Sequence, residues 1–348
     1  MSETIPVYDG PGTTTFGIFG TSPESPDGKR ICYVRYLSVP DDEKWKKLGI
    51  ESELWVCDHN LSQHNKLADL VVKPLHNGAH AFWIDDRRIA YSTRRNIYVV
   101  DADSGTQLLG PIQGEVGHDA HDGKLLFWES GDNVHGAYEL DVDTGKMHLV
   151  ISEDAVRQCV EDGLKMEIGD FSGKHLAYST GGSRIGLRLG GIVDDMVTLS
   201  RDCSQVRLYP RPKPVHQLWY DDDTIMGVWG RNAPEGTGRH YYRWTIDGEP
   251  LEELAGPMSH ADASPDRQWF AGEACPYYQK PIEMALYRRG ENVRTATFFK
   301  HSFDYVTWGL RFHVNPAFSR DGKRLYFSEA VAEDKVEARF ADLTSYID

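Results

Sequence analysis

Residues 25–36 read SPDGKRICYVRY, from Ser25 to Tyr36: a short polar stretch, a tight turn at Asp27 and Gly28, and then a run of apolar residues. Asp and Gly are favoured in tight turns, because Asp bonds the local backbone and Gly tolerates positive φ. Aliphatic and aromatic residues directly after such a turn are typical of a β-strand. The stretch therefore predicts a β-hairpin.

The same phrase occurs seven times along the chain. The six further copies are WIDDRRIAYST from Trp83, AHDGKLLFWES from Ala120, DFSGKHLAYST from Asp170, WYDDDTIMGVW from Trp219, ASPDRQWFAGE from Ala263 and FSRDGKRLYFSEA from Phe318. The turns fall near positions 27, 86, 122, 172, 222, 266 and 321, at spacings of 36 to 59 residues. This spacing accommodates about four short strands per copy, which is the size of a propeller blade. The chain is therefore predicted to be all-β, with residues 1–348 forming one seven-bladed β-propeller domain.

A second hairpin signal follows the first in several copies. It reads NIYVVDADSGTQL from Asn96, AYELDVDTGKMHLV from Ala137 and YYRWTIDGEPLEEL from Tyr241. The D-x-D-[ST]-G fragments share residue types with calcium loops, but they lack the ligand pattern and the closing Glu of an EF-hand. We interpret them as turns between the two outer strands of a blade.

The last copy leaves room for only three strands before the chain ends. Residues 3–16 (ETIPVYDGPGTTTF) precede the first copy as an extended segment that contains β-branched residues. We expect this segment to complete the last blade and close the ring, because closure removes a free sheet edge and ties down the termini.

Composition limits the classes of partner. The chain has 53 acidic and 38 basic residues, for a formal charge of -15, which argues against broad binding to nucleic acid phosphates. No segment has the apolar length of a membrane span or the pattern of a signal peptide, so a cytoplasmic protein without a membrane partner is expected. The five cysteines form no C-x-x-C pair and are expected to be free thiols: Cys32, Cys57, Cys159, Cys203 and Cys275.

Histidines recur at one place in the repeat. The position six residues before the turn Asp (or before Ser172 in the fourth copy) holds, copy by copy, Thr21, His80, Val116, Met166, His216, His260 and Asn315. The innermost strands of a propeller line its central channel, so side chains in equal register should meet around the axis. His76, His118 and His313 lie within a few residues of the same level.

Two interpretations of these histidines stay open. A histidine on an inner strand can simply bond a neighbouring blade, but three in register with an asparagine favour a site. Neutral imidazoles bind divalent metals, and their ordinary pKa suits proton transfer near neutral pH. Because the repeated aspartates lie at turns, the opposed carboxylates of a glycosidase are not expected at this level.

Two stretches carry a family resemblance. HADASPDRQWFAGE (His260 to Glu273) and RFHVNPAFSRDGKRLYFSEA (Arg311 to Ala330) resemble the oligogalacturonate lyases and related polysaccharide lyases built on a seven-bladed propeller. Phrases of the SPDGKR type are also common in TolB-like propellers.

The resemblance implies a divalent metal, typically manganese, held by histidines in two consecutive blades. His260 and His313 match two of those histidines, whereas Leu310 stands in place of a glutamine and Asn315 in place of the last histidine. Since Asn offers an oxygen ligand, the altered set would shift the preference toward calcium or magnesium.

The resemblance also implies β-elimination at a uronic acid in a small anionic oligosaccharide. This reaction needs a group that neutralises the carboxylate, a base for the α-proton and an acid for the leaving oxygen. The candidates for these roles are Arg311 with His260, His313 and Asn315 at the carboxylate, His80 or His216 as base, and Tyr277 or Tyr278 as acid. Candidates for further substrate contacts are His76, Arg94, Arg95, His118, Arg184, Arg188, Trp83 and Trp219, although solvated arginines and core tryptophans are common.

The sequence thus favours a lyase and leaves two alternatives. One is a non-catalytic propeller that binds a protein or carbohydrate partner. The other is a metal-dependent lactonase-type hydrolase with axial carboxylate ligands, which the histidine register does not favour.

Overall fold

The structure is a computed structural model that describes most of the chain. The described residues are 3–18, 20–37, 49–72, 80–129, 131, 133–191, 195–211, 214–229, 240–274, 282–301, 306–307, 310–311, 313–332 and 335–347.

Seven four-stranded antiparallel sheets form the molecule, and this confirms the predicted all-β, seven-bladed propeller. From the innermost to the outermost strand, blade 1 contains Thr13–Thr15, Arg30–Tyr36, Ile50–Asp58 and Asn65–Val72; blade 2 contains Ala81–Trp83, Arg88–Thr93, Asn96–Asp101 and Gln107–Gln113; blade 3 contains Glu115–His121, Lys124–Glu129, Gly136–Asp141 and Met147–Ser152; and blade 4 contains Phe171–Tyr178, Arg184–Gly191, Met196–Ser200 and Val206–Leu208. Blade 5 contains Pro214–Trp219, Thr224–Trp229, Tyr241–Thr245 and Pro250–Ala255; blade 6 contains Ser259–Ala263, Trp269–Glu273, Ile282–Arg288 and Arg294–His301; and blade 7 contains Ala317–Phe318, Arg324–Ala332, Lys335–Asp342 and Thr4–Pro6.

Three smaller elements supplement the blades. A short hairpin pairs Val306–Thr307 with Leu310–Arg311, and helices span Glu153–Leu164 and Thr344–Ile347. Ser152 caps the longer helix by accepting a hydrogen bond from the backbone N–H of Ala155. Within the described residues, no helix has the length and apolarity needed to cross a membrane.

The hydrophobic core lies between the blades. One cluster packs Val34 and Leu54 of blade 1 against Trp83 and Ile89 of blade 2, and other clusters join further neighbouring pairs in the same way. Middle strands are therefore covered on both faces, which explains why they read as nearly continuous apolar runs such as KLLFWE at Lys124–Glu129.

The phrase H-x-x-W-x-D-D occurs at 80–86 in blade 2 and at 216–222 in blade 5, and its side chains form hydrogen bonds to the neighbouring blade. In blade 2 the indole N–H of Trp83 donates to the Pro23 carbonyl of blade 1 (2.8 Å), and the Asp86 carboxylate accepts from the backbone N–H of Asp27 (2.8 Å). In blade 5 Trp219 donates to the Ala177 carbonyl of blade 4 (3.3 Å) in the same way. The repetition of this phrase therefore has a structural cause in blade-to-blade bonding.

The N-terminal segment divides between two blades. Thr4–Pro6 pairs with the outer strand Lys335–Asp342 of blade 7, and the Val7 N–H donates to the Ala338 carbonyl at 2.8 Å. Thr13–Thr15 is instead the innermost strand of blade 1. The expectation that all of residues 3–16 belong to the last blade is thus wrong for its second half.

The turn predicted near position 172 in blade 4 is also wrong. Phe171–Tyr178 is one continuous inner strand, and the hairpin turn follows it at 179–183, where Gly182 has a φ of 72°. Gly173 is required by packing rather than by a turn, because an added Cβ there would lie 2.1 Å from Trp128. The other six turns lie where the repeat predicts them.

The outer hairpins are confirmed in blades 2, 3 and 5. In blade 2, one carboxylate oxygen of Asp101 accepts the backbone N–H groups of Asp103 and Ser104 at 3.0 and 2.9 Å. This carboxylate stabilises the turn, as expected for the D-x-D-[ST]-G fragments.

Candidate functional site

The innermost strands of blades 4 to 7 share a β-bulge that places one side chain per blade in the same register. In blades 4, 5 and 6 the pairing of the first two strands shifts by one residue, and blade 7 shows the same offset between Val314 and Ala317. The first residue of each bulge has positive φ, namely His175 (49°), His216 (54°), His260 (41°) and Asn315 (45°). Positive φ is uncommon outside glycine, and bulges redirect side chains. The register found in the sequence therefore corresponds to a repeated backbone feature.

The structure corrects this register in two blades. In blade 4 the bulge holds His175 rather than Met166, which is exposed at 57%. In blade 3 the pairing shifts by two residues between Val116 and Ala120, and His118 lies inside this irregular stretch. Alignment on Gly181, within the observed turn, would have found His175 six residues upstream. Blades 2 to 7 thus contribute His80, His118, His175, His216, His260 and Asn315 around the axis.

His260, Glu273 and His313 form a buried cluster between blades 6 and 7. They are 3%, 2% and 2% exposed. His260 Nδ1 lies 2.8 Å from Glu273 Oε2, and His313 Nδ1 lies 3.3 Å from both carboxylate oxygens. The backbone N–H of Val314 donates to Glu273 Oε1 at 2.6 Å. One carboxylate therefore orients both imidazole rings, and the sequence register gave no signal for it because Glu273 ends a second strand.

The donor atoms of this cluster fit a divalent cation. One ligand atom from each of the three residues can be chosen so that all lie within 4.8 Å of one another. The side-chain oxygen Oδ1 of Asn315, a residue 6% exposed, is buried without a hydrogen-bond partner among the described residues. Two imidazole nitrogens with a carboxylate oxygen form a mixed donor set that suits a divalent cation.

His216 extends the cluster toward blade 5. Its ring centre lies 3.9 Å from that of His260, which in turn lies 3.7 Å from that of His313. The Ser259 hydroxyl lies 3.1 Å from His216 Nδ1, and the His216 carbonyl accepts a hydrogen bond from the Tyr241 hydroxyl at 3.1 Å. The half-buried imidazole of His216 is therefore held in place at the edge of the buried cluster.

A second histidine pair lies on the other side of the axis. His175 Nδ1 and His118 Nε2 are 2.5 Å apart, and their rings are nearly perpendicular at a centroid distance of 4.4 Å. Thr21 of blade 1, at the equivalent sequence position, donates its hydroxyl to the His118 carbonyl at 3.2 Å. Side chains of blades 1, 3 and 4 in the axial register are thus connected to one another by hydrogen bonds.

Burial keeps two of these imidazoles neutral. It lowers the pKa of His80, partly offset by Glu115 and by the Val116 carbonyl 3.5 Å from His80 Nδ1. It also holds the pKa of His175 well below its ordinary value, helped by the neighbouring His118. A neutral imidazole can accept a proton, so both rings are in the state that a general base requires.

A cavity of about 260 Å³ lies in the channel next to the second pair. Its wall includes His118, His175 and two carboxyl groups, those of Asp119 and Asp262. Burial raises the pKa of Asp119 to about 7 and also raises that of Asp262. Together with Glu273, these residues correct the expectation that no cluster of carboxylates lies at the level of the histidines.

The predicted substrate-binding residues are scattered. Trp83 is buried in the interblade core, whereas Trp219 is half-buried and lines the cavity. Arg94 and Arg95 are exposed in the two-residue turn between the second and third strands of blade 2, both with positive φ.

The remaining predicted residues fall into two groups. Arg184 pairs with Asp223 at 3.3 Å on the rim where blade hairpins turn, and Arg188 lies further along the same strand with its charge close enough to lower the pKa of His175. His76, Tyr277, Tyr278 and the side chain of Arg311 lie outside the described residues.

Comparison with known proteins supports the fold. No family model matches the chain, and no curated protein matches it. Among solved structures, an oligogalacturonate lyase from Vibrio parahaemolyticus is 16% identical with a TM-score of 0.71, covering 99% of this chain and 95% of its own. An oligogalacturonate lyase in complex with manganese is 15% identical with a TM-score of 0.68, covering 98% and 93%.

The similarity extends to structures of other kinds of protein. A chain of the mitotic checkpoint complex is 12% identical with a TM-score of 0.58, covering 98% of this chain and 93% of its own. At such identities the matches establish the propeller architecture, and function has to be argued from the site.

Proposed function

We propose that this protein is a carbon–oxygen lyase that cleaves a uronate-containing oligosaccharide by β-elimination at the axial histidine cluster. The observation that carries this proposal is the buried cluster in which Glu273 contacts both His260 and His313. A buried carboxylate that fixes two imidazoles is the arrangement that orients histidine ligands for a cation. The names of these two oligogalacturonate lyase structures agree with this chemistry, and one of them is in complex with manganese.

The cluster would bind the carboxylate end of the uronate. His260, Glu273, His313 and Asn315 would hold a divalent cation. Such a cation, when bound, supplies positive charge that neutralises the substrate carboxylate and makes the neighbouring C–H more acidic. Glu273 fixes the ring orientation of both histidines with or without the cation, because its two oxygens accept from three groups on blades 6 and 7.

An axial imidazole would remove the α-proton. In the reaction the base takes the proton from the carbon next to the carboxylate, the C–H electrons form a C=C bond, and the bond to the leaving oxygen breaks. The leaving oxygen then takes up a proton. His216 is the base favoured by position, because its ring stacks against His260 at 3.9 Å. His80 is the alternative, since burial keeps it neutral.

The decisive experiment follows the product directly. The protein is incubated with oligogalacturonate and oligoglucuronate, and the ultraviolet absorbance of the unsaturated uronate is recorded with and without a chelator. We expect a rise that falls by about tenfold to 100-fold in Glu273→Gln, which loses the group that orients the two histidines. We expect a fall of about 100-fold or more in His216→Ala, which loses the proposed base. His148→Ala, which changes an exposed histidine on the outer strand of blade 3, is the matched control and should keep full activity.

Elemental analysis of the same proteins tests the cation separately. Wild type and His148→Ala should retain a divalent metal that Glu273→Gln loses. If no uronate gives an absorbance rise and the wild-type protein carries no metal, the lyase proposal is wrong and a binding propeller becomes the better interpretation.

A further inference from the structure

The 260 Å³ cavity is a separate compartment of the central channel. The inner strands of blades 3 to 6 all contribute to its wall, which places it on the axis. Thr180 and Arg267 belong to the turns that join first and second strands, so the cavity reaches the face of the molecule that carries those turns. Its described lining does not include His216, His260, Glu273 or His313. The compartment therefore differs from the lyase cluster in both position and residues.

One wall of the cavity is an immobilised tryptophan. The indole N–H of Trp219 donates to the Ala177 carbonyl at 3.3 Å. The indole also packs closely against the neighbouring strand, since a Cβ added at Gly186 would lie 3.1 Å from Trp219 Nε1. Ala177 and Met226 supply further apolar surface beside it. The fixed indole presents an apolar surface next to polar groups. This arrangement suits a ligand ring that has one apolar face.

The rest of the wall offers hydrogen bonds with little net charge. Asp119 accepts the backbone N–H of Tyr178 at 3.1 Å, and burial raises its pKa to about 7, so in its protonated form this carboxyl both donates and accepts. The imidazole of His175 is neutral because burial holds its pKa low. Arg267 is the single arginine or lysine among the described lining residues, and its guanidinium lies over the Tyr220 ring at 5.0 Å.

Size and charge narrow the class of ligand. Pockets for drug-sized ligands measure roughly 300–1,000 Å³, so a volume of 260 Å³ holds one small ring. An anion would lose its hydration on entering this wall, and Arg267, the single arginine or lysine among the described lining residues, already lies over the Tyr220 ring. A hydroxyl-rich ring without charge can use the donors and acceptors and lie against Trp219.

We infer that this compartment binds a single neutral sugar ring, held between the Trp219 indole and the polar wall of Asp119, His118 and His175. This site lies beyond the lyase cluster and does not depend on it. A protein with both sites would accept a neutral sugar unit as well as a uronate, which sets it apart from an enzyme that handles only uronates.

The test measures binding rather than turnover. Full-length protein is titrated with D-glucose, D-galactose and L-rhamnose, and with D-glucuronate as the anionic probe, by saturation-transfer NMR and calorimetry. We expect at least one neutral sugar to bind saturably and glucuronate not to displace it. Ala177→Leu, which fills the cavity, and Trp219→Leu, which removes the platform, should each weaken binding by about tenfold or more.

Trp55→Leu is the matched control, because Trp55 is a half-buried tryptophan of blade 1 outside the cavity lining. It should bind the sugar as wild type does, and circular dichroism establishes that each variant is folded. The inference is overturned if no neutral sugar saturates the wild-type protein, if glucuronate displaces the bound neutral sugar, or if folded Ala177→Leu binds unchanged. The binding titration measures no cleavage, so its result does not depend on the outcome of the elimination assay.

Discussion

At the residue scale, Asp119 makes the folding stability of the protein depend on pH. Its folded-state pKa of about 7 lies above the ordinary value of 3.8 because burial penalises the carboxylate. Between these two values the folded protein keeps a proton that the unfolded chain has released. The stability associated with this proton is therefore fully present below about pH 4 and is lost as the pH rises through about 7.

Asp119→Asn should remove this pH dependence. The amide oxygen can still accept the N–H of Tyr178, but the side chain no longer ionises. Because one pKa unit corresponds to about 1.4 kcal/mol, the variant should gain stability relative to wild type by up to about 4 kcal/mol between about pH 4 and pH 8. Urea unfolding followed by tryptophan fluorescence at several pH values measures the difference.

Asp170→Asn is the appropriate comparison, since Asp170 is an exposed aspartate before blade 4. It should follow the wild-type pH profile. A constant difference in unfolding free energy between wild type and Asp119→Asn across this pH range would show that Asp119 does not hold the proton.

The residues of the axial ring differ in how well the sequence could predict them. His216, His260 and Asn315 were found because their bulges lie at a fixed distance from an obvious turn. His118 was placed only approximately, because the bulge in blade 3 contains one more residue than the others. Glu273 could not be found by register, since it reaches the cluster from the far end of a second strand and depends on the three-dimensional contact with Val314.

At the element scale, the N-terminal strand protects the edge of blade 7. Thr4–Pro6 pairs with the outer strand of that blade, and Arg339 bonds both the side-chain oxygen and the carbonyl of Thr4. An unpaired strand edge exposes backbone N–H and C=O groups and promotes self-association.

Deletion of residues 1–6 should lower the melting temperature by several degrees and produce oligomers. The expected loss reflects the strand pairing together with the contacts of Arg339. Differential scanning calorimetry gives the melting temperature, and size-exclusion chromatography with light scattering gives the mass. A chain that begins at Glu3 serves as the control, because it keeps the paired strand. Identical melting of the two truncated chains would mean that the strand contributes nothing measurable.

The elements also show where local sequence signals mislead. In DFSGKHLAYST the Ser-Gly pair resembles the turns of the other copies, yet it lies within the continuous inner strand Phe171–Tyr178. Gly173 is there because the Trp128 ring packs against its Cα, a contact between blades that no local pattern reveals. Glycine has two structural uses, turning and close packing, and only the three-dimensional structure separates them.

At the scale of the whole molecule, the candidate site belongs to no single blade. The number of blades was predictable because six of the seven repeated phrases form their hairpins from local residues, and the seventh supplies the inner strand of blade 4. The convergence of side chains from blades 2 to 7 depends on the ring, whose core clusters each join neighbouring blades. Substitutions that loosen an interblade contact should therefore disturb the site from a distance.

The net charge of -15 gives a last expectation for the proposed reaction. A strongly acidic protein repels an anionic oligosaccharide at long range, and salt screens that repulsion within a Debye length. The kcat/KM for a uronate substrate should therefore rise by about two- to fivefold as ionic strength increases from about 10 to 150 mM. A fall in kcat/KM with salt for the charged substrate would instead indicate that a local group of cations attracts it, and Arg94 and Arg95 on the rim of blade 2 would be the first residues to replace.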